Sequence, residues 1–388
     1  MDMQQQMYRA TFMRTGTSKS VYFKKSELPE DPGLRDRVLL AVMGSPDPVQ
    51  IDGMGGAAVS TSKIAIIAPS AREDADIDYT FGQVSLTEAR IDYSGNCGNC
   101  SSGVGPYAID EGMVPVTEPV TRVRVYNTNT GAILIEDVRV AGGKAAVEGD
   151  CKIDGIPGTG SRIDIDMRGS AGASTGRLFP TGNRQDVVQV PGLGKVPITV
   201  LDLGNPIVYV HARYVGASGV ENRMEILADQ ALLDRLERVR EQGAVLIGAC
   251  KAGESAVRVT PNRPQIVFFN GPMDCVDYVT GSPIPASAVN FVARNIFVQK
   301  PIDSYTALGG VNTALCSIIR GTVLYESAVR REPGSDFIRF GNPRGITEAE
   351  VRAADDGECV TVEKAVMART ARRIMDGYVY VRKTQLSG

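Results

Sequence analysis

The chain has 388 residues, 43% of them hydrophobic and 22% charged, which is enough for two domains with cores of their own. Its 42 basic and 45 acidic residues leave a formal charge of −3, so no overall field favours nucleic acid or a membrane surface. Seven cysteines, odd in number and scattered, do not make a secreted disulfide framework, and there is neither an N-terminal apolar h-region nor a run of about 18 apolar residues, so a reducing cytoplasm is the expected setting. His211 is the only histidine, which weighs against zinc sites and serine triads.

Short β-branched runs recur along the chain between glycines and prolines. Strands are expected at 20–23, 63–68, 121–129, 132–140, 196–203, 265–269, 321–326, 336–340 and 377–383. Helical patterns are fewer: 98–112, 225–248 with Gly243 as an end signal, 285–300 and 307–320. The helices at 98–112 and 307–320 both open on small residues, Gly98-Asn99-Cys100-Ser101 and Ala307-Leu308-Gly309-Gly310, and each precedes expected strands. That layout fits two related halves, each a sheet wrapped around a small-residue helix, with the Gly-, Thr- and Pro-rich stretch 172–187 as the crossing between them.

Four constellations could carry chemistry. In "MRTGTSKSVYF", Gly16-Thr17-Ser18-Lys19 combines a turn, hydroxyls and a cation, which suits an anion, or it is a hairpin turn with a surface lysine. In "QIDGMGGAAVSTSKIAII", Ser60, Thr61 and Ser62 precede Lys63 at the mouth of an apolar strand. Partial desolvation there would lower the lysine's pKa and let it act as a base, whereas the structural alternative is a snorkelling lysine at a strand end. Cys97-Gly98-Asn99-Cys100 reads as a zinc half-site, a redox pair, or one reactive thiol at a helix start. The second ligand pair that zinc needs is missing, and the redox reading lacks a thioredoxin-like surround. The thiol reading has uncovered N–H groups to favour a thiolate, and its bland counterpart is a cysteine filling space. "PTGN" at 180–183 is a fourth polar turn. Together these stretches describe a small acidic ligand held by backbone N–H groups, hydroxyls and lysines.

The stretches "RTGTSKSVYF", "IDGMGGAAVSTSKIAII", "YTFGQVS", "DYSGNCGNCSSGVGPYAIDEG", "VYNTNTG", "GDCKIDGIPGTG", "FPTGN" and "ARTARRIMDGYVYV" resemble, in order and over nearly the whole chain, the PrpF family of 2-methylaconitate, methylitaconate, oxalomesaconate and aconitate isomerases. "NTNTG" and "GDCKIDG" look most like its methylitaconate branch. The resemblance implies an α+β fold like that of diaminopimelate epimerase, with two pseudo-symmetric β-barrel-like halves, each around a central helix, and a site in the cleft. The halves would be 1–184, with 374–388 returning to it, and 185–373. The resemblance also implies no cofactor and no metal, and makes Lys63 and Cys97 the catalytic pair, with Cys100 a packing neighbour. Substrate contacts would come from Thr17, Ser18, Lys19, Ser60 and Ser62, from Asn96, Gly98, Asn99 and Ser101, and from Thr181, Gly182, Asn183, Gly309 and Gly310. "QKPIDSYTALGG" departs from the family in lacking a histidine before the second central helix. The implied reaction is a 1,3-allylic proton shift on a small unsaturated di- or tricarboxylic acid. The alternatives are a two-thiol epimerase on the same fold, for which the second half offers only Cys316 deep in its helix, and a carboxylate-binding relative without turnover. No nucleic-acid or membrane partner is expected, and a homo-oligomer stays open.

Overall fold

The computed structural model describes residues 4–153, 155–303, 305–329 and 332–386. The chain forms two units: residues 1–165 with 368–388, and residues 166–367. The boundaries thus fall after Ile165 and Met367, against expected positions after 184 and 373. The stretch 172–187 belongs to the second unit, where Asp202 at a strand end accepts hydrogen bonds from Ser174 N, Thr175 N and Thr175 Oγ1.

In the first unit, Gln5–Thr15 runs antiparallel to Ser18–Lys24, which runs parallel to Lys63–Pro69. Lys63–Pro69 is antiparallel to Ile77–Val84, which is parallel to Val120–Asn127, itself antiparallel to Ile133–Ala141. The C-terminal strand Ala371–Arg382 adds to Gln5–Thr15 as an antiparallel neighbour. The run Lys-Ile-Ala-Ile-Ile is buried throughout, as a strand covered on both faces requires. The parallel step is bridged by the helix Pro32–Met43, capped by Asp31 through Leu34 N, opened by proline and ended by Gly44 at φ 73°.

The second parallel step contains Gly98–Ser101 and Val104–Asp110, two short helices where one of 98–112 was expected. Every residue of the first and most of the second are buried. They pack against Gln5–Thr15, Ser18–Lys24, Val120–Asn127 and Ile133–Ala141, strands from both ends of the sheet order, so the sheet curls around them. Small residues make this closeness feasible: a Cβ at Gly103 would lie 2.5 Å from Tyr22 Oη and one at Gly105 2.8 Å from Glu136 Oε2.

The second unit repeats the pairing sequence. Gly194–Asp202, Pro206–His211, Gln265–Asn270, Phe291–Phe297, Phe337–Asn342 and Gly345–Asp355 join antiparallel, parallel, antiparallel, parallel, antiparallel. Its first parallel step holds Arg223–Ala228 and Gln230–Leu246, and its second holds the helix Ala307–Ile318, buried at all but its last residue. The two units are one β–α design used twice, and the fold is α+β of the diaminopimelate-epimerase-like kind.

Three further expected elements differ. The segment 285–300 is a strand, Phe291–Phe297, preceded by a 3₁₀ turn: Phe291 through Ile296 are all buried, and the backbone pairs with strands on both edges; a short apolar run does not by itself reveal its period. The segment 321–326 forms turns: Thr322 Oγ1 donates to Cys316 O and Ile319 O and accepts from Tyr325 N, folding the chain back on the helix end. The segment 225–248 breaks at Asp229, which caps the second helix through Leu232 N. Gly243 lies inside that helix, where a Cβ would meet Val208 Cγ2 at 2.3 Å, and the end signal is Gly248 at φ 70°.

Glu136 is fully buried beneath the small helices. Its Oε2 accepts from Gly105 N at 2.8 Å and Oε1 has no partner, so desolvation pushes the carboxyl up to about 8. With the folded value above the ordinary 4.5, the stability this group contributes is whole below pH 4.5 and is lost as the pH rises to about 8. Glu136→Gln keeps the acceptor for Gly105 without the charge. Relative to wild type it is expected to gain about 1 kcal/mol per pH unit between pH 5 and 8, read from denaturant unfolding at several pH values. A difference that stays constant with pH would refute this.

Candidate active site

Lys63 begins its strand directly opposite Gln83, and that register places its side chain. Lys63 is 7% exposed, and its Nζ donates to Gln83 Oε1 at 2.8 Å and to Cys97 Sγ at 3.6 Å and stands 5.1 Å from the centre of the Phe81 ring. Of the hydroxyl residues before it, Thr61 Oγ1 donates to Ala58 O at 3.2 Å within the loop. Ser62 is buried and accepts from Gln50 Nε2 at 2.7 Å, while Ser60 is exposed in the 3₁₀ turn Val59–Thr61. The glycines of 53–56 allow close approach, since a Cβ at Gly55 would lie 2.1 Å from Gln50 Oε1.

Cys97 is the residue capping Gly98–Ser101, in extended conformation (φ −118°, ψ 104°). Its thiol is held well below the ordinary cysteine value by the Cys100 thiol acting as a donor, by the Lys63 charge, and by the backbone N–H groups of Cys100 and Asn99, which together outweigh burial. Cys100 is driven the other way, mainly by burial and also by its bond to Cys97. Its sulfur lies 2.8 Å from Ser20 Oγ, and its carbonyl accepts from Tyr22 Oη. These contacts put Cys100 beside the Cys97 thiol. Cys100→Ala should move the pH midpoint for alkylation of Cys97 upward, followed on the Cys97 peptide by mass spectrometry because Cys359 is exposed and reacts as well. An unmoved midpoint would return Cys100 to a packing role.

The other expected contacts of the first unit gather around Asn99. Its Nδ2 donates to Thr17 Oγ1 at 2.9 Å and Ser18 Oγ at 3.4 Å, and its Oδ1 accepts from Arg369 Nε at 3.1 Å. Gly16, at φ 50°, is required here, because a Cβ would lie 2.4 Å from Asn99 Oδ1. Ser101 Oγ donates to Asn96 Oδ1 and to Cys97 O, both at 3.2 Å, and Gly98 is the first helical residue. Lys19 lies over the Phe12 ring at 5.6 Å. Gln83, Ser20, Tyr22, Gln50 and Arg369 join the site although no sequence signal singles them out. The "FGQVS" string holds the one hint of Gln83, and strand register is needed to aim it.

The expected residues of the second unit are satisfied locally. Thr181 Oγ1 and Asn183 Nδ2 both donate to Asp186 at 2.7 Å, with Gly182 at φ 80° between them. Gly309 N donates to Thr306 Oγ1 at 3.1 Å, and Gly310 packs where a Cβ would meet Met367 Cε at 2.3 Å. Thr306 caps this helix through its side chain, and Cys97 occupies the same N-cap position of the counterpart without a side-chain cap bond, so the second unit carries a hydroxyl where the first carries a thiol. Among the described residues, no group of three or more His, Cys, Asp or Glu side chains is placed to hold a metal ion. No helix among them is long and apolar enough to cross a membrane.

The first unit thus holds a buried lysine–thiol pair, Lys63 and Cys97, on an α+β scaffold. The family model described as PrpF protein matches residues 5–382. The chain is 46% identical over 375 residues to a 3-methylitaconate isomerase of Eubacterium barkeri, covering 96% of this chain and 97% of that one. It is 36% identical to a 2-methyl-aconitate isomerase of Shewanella oneidensis, with 96% of each chain covered. The crystal structure of a methylitaconate-delta-isomerase superposes with a TM-score of 0.90 at 44% identity, covering 100% of this chain and 98% of the other. The class is isomerase. The chain belongs to the PrpF family.

Proposed function

We propose that the protein isomerises a small unsaturated di- or tricarboxylic acid, of the methylitaconate or methylaconitate kind, by a 1,3-allylic proton shift. The single observation that carries this reading is Lys63 Nζ 3.6 Å from the sulfur of Cys97. A thiol held below its ordinary value is a competent base near neutral pH, and the lysine offers a cation for a substrate carboxylate. The Cys97 thiolate takes the allylic proton, leaving a dienolate whose charge spreads onto the carboxylate oxygens. N–H donors at the helix start and the Lys63 cation stabilise that charge. The proton returns at the far end of the allyl system, so the double bond moves and no atoms are gained or lost. Rotation in the dienolate would connect cis and trans isomers by the same path.

Thr306 and Cys316 weigh against the two-thiol epimerase. The second helix starts on a hydroxyl, and Cys316 is completely buried with its thiol pushed far up by desolvation. Seven free cysteines support a reducing, cytoplasmic setting. The test is a panel of unsaturated acids, methylitaconate, 2-methylaconitate, cis- and trans-aconitate and oxalomesaconate, incubated with the protein in deuterated water. Ultraviolet absorbance reports movement of the double bond and mass reports exchange of the allylic proton. The reading requires both for at least one acid. Tight binding with neither would leave a carboxylate-binding protein.

A further inference from the structure

We propose that Gln83 is the positioning residue of the site: it holds the Lys63 nitrogen against Cys97 while leaving the lysine's charge unneutralised. The inference rests on Lys63 and Cys97 being the reacting pair. Gln83 is fixed from both ends. It faces Lys63 across the strand ladder, and its Nε2 donates to Val59 O at 3.2 Å and to Ser62 O at 2.9 Å. With both amide hydrogens used, Oε1 has one orientation, toward Lys63 Nζ at 2.8 Å. A carboxylate could not make the same set of bonds, because its second oxygen would point at two carbonyl oxygens.

The neutrality of this partner matters. A buried cation beside a carboxylate divides its field between the two anions it could serve. Lys63 instead meets an amide oxygen, the face of Phe81 and a sulfur, and among the described residues no carboxylate forms an ion pair with it. Its charge is therefore available to the thiolate, which it lowers, and to an arriving anionic substrate. Cys100 also acts on Cys97 and is not cationic, and the Cys97 thiolate in turn adds to the burial that pushes the Tyr22 and Tyr79 hydroxyls up.

Two substitutions test this. Gln83→Met keeps the volume and removes the anchor. It should lower kcat/KM on the order of tenfold to a hundredfold and raise the alkylation midpoint of Cys97, because a lysine free to swing delivers less charge to the sulfur. Gln83→Glu supplies an anchor with the wrong charge and should raise that midpoint by about one pH unit or more, with a higher KM for the dianionic acid. If the carboxylate prevents folding, Gln83→Met decides by the same midpoint. Unchanged midpoints in folded variants, with any activity loss tracking thermal stability, would reduce Gln83 to a strand-ladder residue and overturn the proposal. The alkylation readout needs no substrate, so absence of turnover on every acid tested would count against the isomerase reading and leave the test of Gln83 intact.

Discussion

Cys97→Ser is expected to remove turnover and solvent exchange, a loss on the order of 10²–10⁴ or more, with unfolding unchanged within experimental spread. Serine is a preferred residue at a helix cap, so the local start Gly98–Ser101 should be held at least as well as by cysteine. What disappears is the titrating group. The environment that brings the Cys97 thiol down works on a proton that a thiol releases and an aliphatic hydroxyl keeps throughout the accessible range. The measurement is the deuterium content of recovered acid beside the rate of absorbance change, with unfolding followed in parallel. A serine variant retaining activity within tenfold of wild type would move the acid–base role away from Cys97.

Lys63→Met should give a folded protein that binds acids more weakly and no longer exchanges their allylic protons, again a loss of about 10²–10⁴. Methionine matches the length and apolar stem of a residue that is almost entirely buried, so the core around Ile64 and Ile66 should tolerate it. The structural cost is the lost bond to Gln83 Oε1, about 1 kcal/mol. Losing the Lys63 charge also removes one of the supports of the thiolate, so the Cys97 alkylation midpoint must rise in the same variant. Wild-type exchange in Lys63→Met would place the cation or base elsewhere. Lys19, seated over Phe12, would be next to test.

Much of the residue-level chemistry is legible in the order of amino acids. The β-branched runs at 63–68, 121–129 and 132–140 are strands because alternate or continuous burial suits them wherever they sit. Local composition also marks the helix start with its thiol and the lysine at the mouth of an apolar run. Non-local pairing governs the rest. The run at 291–297 is a strand because neighbouring strands pair with its backbone on both edges, which a string of Phe, Val and Ile does not announce. Gly243 is an interior glycine because Val208 comes from elsewhere to fill the space a Cβ would take. The bonds that Thr181 and Asn183 of the polar turn at 180–183 make to Asp186 are likewise set by the folded turn. Which groups can titrate, and where strands and the small-residue helices form, follow from side-chain chemistry and local propensity. That Gln83 lies opposite Lys63, that Cys97 lies within reach of its nitrogen, and that Cys100 lies beside the thiol follow only from the folded arrangement, because strand register and helix packing are set by residues distant along the chain.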